Sequence, residues 1–206
     1  MKVNTAVFSL KGLTIKDNGL LTAFLSVLAG LISGSMVYAI FIHKNYNPIV
    51  DIFISFNTEF IGKADAELFS GIAVSVLIYF LMLFISGSSL FGRPMCVVIT
   101  FFKFAGIGAL ISYLYIAYGL KGLEYVLLVF FPGKLILIFA SVLMTRSSFE
   151  MSGIVKNGTN EKGSTTLSVR LYYLKSLVYL LMFIVSAAID FLMIKIFSSL
   201  FNFSSI

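Results

Sequence analysis

The sequence predicts an all-α integral membrane protein: a bundle of five transmembrane helices with an amphipathic helix lying at the outer interface. Three observations predict it. Of 206 residues, 59% are hydrophobic and only 12% charged, against roughly 45–50% and about 25% in an average soluble domain. Mean hydropathy is +1.03, more apolar surface than a chain of this length can bury in its own interior. And the apolar residues fall into five long runs, each near the ~20 residues that an α-helix needs to cross a bilayer. The single cysteine, Cys96, has no partner for an internal disulfide, and with one histidine, His43, no Cys/His metal cluster can form.

The runs cover about 20–42, 68–86, 94–118, 123–145 and 171–197. Helices are expected because lipid offers no partner to an open strand edge. The first run is 23 residues without an ionisable group, longer than the ~7–15 residues of a signal-peptide core, so it reads as an uncleaved span. Lysine and arginine set the orientation. With the amino terminus inside, Lys2, Lys11, Lys16, Arg93, Arg146, Lys156, Lys162, Arg170 and Lys175 are cytoplasmic, nine in all, and Lys44, Lys63 and Lys121 are the three outside. The carboxyl terminus is then outside.

Between the first two spans, residues 48–62 carry Ile49, Ile52, Phe53, Phe56 and Phe60 on one helical face and Asp51, Ser55, Thr58 and Glu59 on the other. This outer segment reads as an interfacial helix on the leaflet, or as a docking surface for an extracytoplasmic partner through Asp51, Ser55 and Glu59. Residues 146–170 read as a cytoplasmic loop. Its polar run from Lys156 to Thr166 is expected to be a flexible link.

Charges within apolar runs are costly and call for a partner, a cavity or a route to the interface. Lys103 stands nine residues after Pro94, roughly 13 Å along a helix and near mid-depth, beside the small residues Gly106 and Gly108. Lys134 follows Pro132 and Gly133, a pair that predicts a kink or a discontinuous helix. Asp190 lies mid-span in the fifth run, able to neutralise either lysine. In the structural reading Lys103 pairs with Asp190 while Lys134 and Lys195 reach for the interface. In the transport reading broken helices and charges line a substrate path.

Gly30 and Gly34 stack two small residues on one face of the first span. The spacing serves packing within the bundle or pairing with a second copy of the chain. Intramembrane hydrolases need paired acids, a serine with a base, or clustered histidines, and none is legible here. Glu124 reads as a boundary residue near Lys121, and Cys96 as an ordinary helix position rather than a redox or lipidation site. Neither a cofactor nor a nucleic acid is expected.

The order of these features resembles the stage II sporulation protein M family of bacterial membrane proteins. The resemblance rests on LAGLISGS in the first span, the outer amphipathic segment, SLFGRP, FFKFAGIGALISYL, AYGLKGLEYVLLVFFPGKLILIFASVL and a final acid-bearing span. Its most specific stretch is Gly92 to Ala140. Lys103 matches the family's basic position, Gly106 and Gly108 its small residues, Gly119 and Gly122 its turn, and Pro132 its helix-breaking proline. Phe104 replaces the family's glycine, and Lys134 and Leu137 stand where many members carry polar residues or a glutamate. The resemblance implies a non-enzymatic anchor in the cytoplasmic membrane that localises the peptidoglycan-remodelling stage II sporulation proteins D and P during engulfment.

Overall fold

A computed structural model describes residues 18–42, 65–157 and 162–197. Among them every extended element is helical and no strand occurs. The helices are α1 (Asn18–Val37, continued by a π-helical turn over Tyr38–Ile42), α2 (Asp65–Gly87), α3 (Gly92–Tyr118), α4 (Phe131–Asn157) and α5 (Lys162–Phe197). A short helix, Leu120–Tyr125, and a π-helical turn, Val126–Phe130, lead into α4. Five helical stretches are long and apolar enough to cross a membrane: Gly19–Ile40, Glu67–Gly87, Gly92–Tyr118, Leu120–Val155 and Val169–Phe197.

Successive helices alternate in direction. At one end of the bundle the start of α1 meets the last turns of α4, where Gly19 lies against Phe149, and the α2–α3 turn meets α4 through Arg93, Phe149 and Ser152. The opposite end carries Glu67, the α3–α4 connection and the last turn of α5. There the chain folds back at Gly119, whose φ of +59° suits a residue without a Cβ. Helix α4 is central, contacting α1, α2, α3 and α5.

The core is built from one face of each helix. Phe104, Phe183, Leu83, Leu137 and Met144 are fully enclosed. The other faces stay apolar as well: Ile32, Phe102, Phe139, Leu177 and Ile196 are each about 60% exposed. A helix in water turns a polar face outward, whereas these turn apolar faces outward.

The closest approach joins α1 to α3. A Cβ on Gly34 would overlap the Ala105 carbonyl, one on Gly108 would overlap the Leu31 carbonyl, and Gly30 faces the Phe101 carbonyl. Small residues let the two backbones touch, and two hydrogen bonds follow. Ser35 Oγ donates to the Gly108 carbonyl and Ser112 Oγ to the Ser35 carbonyl, both at 3.1 Å. The Gly30/Gly34 face is therefore occupied within the chain.

Two expectations from the sequence need correction. Residues 146–157 and 162–170 are helical, not a loop, with 158–161 outside the described residues. The fourth helix continues past Thr145 because its polar side chains are buried against neighbouring helices: Ser147, Ser148 and Ser152 are all enclosed. And the Pro132–Gly133 pair does not break the helix, which runs from Leu120 to Asn157 with a π-helical turn, a feature of kinked helices, directly before Pro132. Pro132 has no N–H to give the preceding turn, and the wider π-helical turn over Val126–Phe130 accommodates this while the backbone stays helical. The outer segment 48–62, with Asp51, Ser55 and Glu59, lies outside the described residues, as does His43.

Candidate functional site

Where α4 begins, its first turn brings Lys134 against α5. Lys134 Nζ lies 2.6 Å from Asp190 Oδ2, with the two side chains 20% and 4% exposed. Two features of α4 and α5 permit the contact. Gly133 leaves the space the carboxylate fills, since a Cβ there would overlap Asp190 Oδ1. One turn before Asp190, Ser186 Oγ donates to the Gly133 carbonyl at 2.9 Å and fixes the local register. Asp190 Oδ1 has no hydrogen-bond partner among the described residues. Lys134 Nζ also sits 5.5 Å from the centre of the Phe130 ring, within cation–π range.

Lys103 reaches a different partner. Its Nζ donates to Ser75 Oγ of α2 at 2.8 Å and lies 5.9 Å from the centre of the Tyr79 ring. The expected Lys103–Asp190 pair is thus replaced by Lys134–Asp190, and Lys134 does not reach for the interface. The reason is register: Lys134 shares the α4–α5 contact with Asp190, whereas Lys103 projects from α3 toward α2. Lys195 lies exposed in the last turn of α5. The ionisable side chains of this region are thus the Lys134–Asp190 pair and, apart from it, Lys103 held on Ser75.

Below this group a polar seam runs along the bundle. Tyr79 Oη donates to Thr100 Oγ1 at 3.4 Å, and Thr100 and Thr145 share a hydrogen bond of 2.9 Å. A turn further on, Ser148 Oγ donates to the Leu83 carbonyl at 2.9 Å, and Tyr172 Oη donates to the Phe84 carbonyl at 3.0 Å. At the end of the seam, the Arg93 backbone N–H donates to Ser152 Oγ at 3.2 Å. Ser152 Oγ in turn donates to the Ser89 carbonyl at 3.0 Å. These bonds link α2, α3, α4 and α5 at successive levels. They are interhelical hydrogen bonds of the kind that hold apolar helices together where hydrophobic burial is weak.

The seam's residues were missed as a group, although a signal existed. Lys134, Ser141, Thr145, Ser148 and Ser152 recur along α4 at steps of three, four and seven. Tyr172, Ser176, Tyr179, Ser186 and Asp190 do the same along α5. That periodicity marks one polar stripe on each of two apolar helices.

Gly106 and Gly108 are buried in α3, Gly108 against α1. Cys96 is buried, its thiol donating to the Arg93 carbonyl. Among the described residues no group of three or more His, Cys, Asp or Glu side chains is arranged to hold a metal ion. What the site offers is a buried ion pair, a lysine held across to a neighbouring helix and a ladder of hydroxyls, a means of locking helices together. Comparison with known protein families, with curated proteins and with solved structures gives no match.

Proposed function

We propose that this chain is a five-span protein of the bacterial cytoplasmic membrane that acts as a non-enzymatic scaffold, recruiting extracytoplasmic proteins that remodel the cell wall. The observation that carries this reading is how polar groups are used. Buried hydroxyls and the Lys134–Asp190 pair tie helix to helix, while outward faces are apolar. Such a bundle is suited to holding an exposed segment in position. The orientation follows from charge: Arg93, Arg146, Arg170 and Lys175 gather at one end of the bundle and Glu67, Lys121 and Glu124 belong to the other, so the basic end faces the cytoplasm. The amino terminus is then inside and the carboxyl terminus outside.

The docking face in this reading is the outer segment 48–62. The resemblance to the stage II sporulation protein M family supports stage II sporulation proteins D and P as partners. Photocrosslinkers at Asp51, Ser55 or Glu59 test it. The expected product is an adduct with a secreted or membrane-anchored wall-remodelling protein, and recovery of lipid adducts alone would count against the role.

A transport reading, in which Lys103, Lys134 and Asp190 serve a small permease, draws on one specific observation. Asp190 is 3% exposed and keeps one oxygen without a hydrogen-bond partner among the described residues, beside the Lys134 ammonium. Protein reconstituted in liposomes would then show a flux that Lys103→Ala abolishes; absence of flux across a broad panel of ions and small solutes counts against it.

A further inference from the structure

At the basic end of the bundle, α4 and α5 line a cavity of ≈ 140 Å³, well above the roughly 10–15 Å³ that one water needs. Its lining is of three kinds. Met151, Ile154 and Leu171 supply apolar walls, Glu150 and Lys175 the charges, and Ser147 and Tyr172 the hydroxyls. Both hydroxyls are already donating, Ser147 to Tyr179 Oη and Tyr172 to the Phe84 carbonyl. Glu150 is held by Arg146 one turn earlier, with Nε 3.0 Å from Oε1. Lys175 is exposed and forms no ion pair among the described residues. The uncompensated charge of the cavity is therefore the Lys175 ammonium, with three N–H donors to offer.

The position along the helices says what kind of anion fits. The last apolar run of the sequence begins near Leu171, which puts Lys175 about 6 Å along the helix inside the apolar zone. From there a lysine stem reaches back to headgroup level. One turn deeper on the same face of α5, Val178 is 54% exposed, so an apolar chain leaving the cavity meets an apolar surface.

We propose that this cavity seats the headgroup of one anionic phospholipid of the cytoplasmic leaflet. Its phosphate contacts Lys175 Nζ, its glycerol lies against Leu171 and Ile154, and an acyl chain runs past Val178. With Glu150 held by Arg146, the Lys175 ammonium at headgroup level is the charge left to meet an anionic headgroup. The site rests on the membrane reading and is independent of the scaffold role.

The test is native mass spectrometry of the full-length protein in detergent micelles, titrated with phosphatidylglycerol or phosphatidylcholine. Phosphatidylglycerol is expected to bind several-fold more tightly. Lys175→Gln lowers that binding several-fold, Lys175→Arg restores it, and Lys121→Gln at the opposite end leaves it unchanged. Equal retention of both lipids, or undiminished binding by Lys175→Gln, overturns the site while leaving the five spans standing. Displacement by millimolar inorganic phosphate would instead assign the cavity to a soluble anion and likewise overturn the proposal.

Discussion

Lys134 of α4 and Asp190 of α5 meet at 2.6 Å across 56 residues of sequence, in the notch that Gly133 leaves open. The pair fixes the register of the two helices, because a shift of either by one residue would turn one partner away. Removing one partner from a buried pair leaves the other charge uncompensated, a loss of about 3–5 kcal/mol, whereas replacing both by apolar residues is often near neutral. Lys134→Met is thus expected to destabilise the protein strongly, and Lys134→Met combined with Asp190→Leu to recover most of that loss. Thermal unfolding in detergent measures both. Equal losses in the single and double variants would show that the pair does not act as a unit.

The α1–α3 contact depends on backbones touching. Gly34→Ala would drive a methyl group into the Ala105 carbonyl, and because backbone rather than a flexible side chain is in the way, the helices must separate. Overpacking of this kind costs typically about 1–3 kcal/mol. It should also release the Ser35–Gly108 and Ser112–Ser35 hydrogen bonds, raising amide exchange along α1. An unchanged melting temperature would contradict the contact.

Ser148 joins three helices, donating to the Leu83 carbonyl of α2 and sharing a 3.3 Å hydrogen bond with Tyr172 of α5. Ser148→Ala should lower stability by about 0.6 kcal/mol and at most about 1.7 kcal/mol, the average and the upper value for interhelical bonds between apolar helices. Thr100→Val, which takes a partner from both Tyr79 and Thr145, is expected to fall in the same range. Losses near zero for both would mean that the seam lies along the helices without holding them.

Much of the fold was legible because length and hydropathy are properties of a single segment. The five apolar runs could be read directly, and only their ends moved. The fourth moved most: Arg146, Ser147, Ser148, Glu150 and Ser152 make the sequence look like a loop, and only the neighbours that bury the serines make it a helix. The site was harder, because it depends on relations between segments. Lys103, Lys134 and Asp190 were each visible as charges in apolar surroundings, yet which lysine meets Asp190 is decided by the relative register of α3, α4 and α5. No single segment encodes that register. The hydroxyl stripe of α4 was legible in principle, since its spacing is written in the sequence, but serines and threonines draw less notice than charges.

The central claim is the threading of five helices, with the acid-rich segment between α1 and α2 on the same side as the carboxyl terminus. Alkaline phosphatase fused after Lys63, after Lys156 and after Ile206 measures it most directly. The account predicts activity from the first and third fusions and none from the second. Activity from only one of the Lys63 and Ile206 fusions would put those two points on opposite sides of the membrane and contradict the five-span topology.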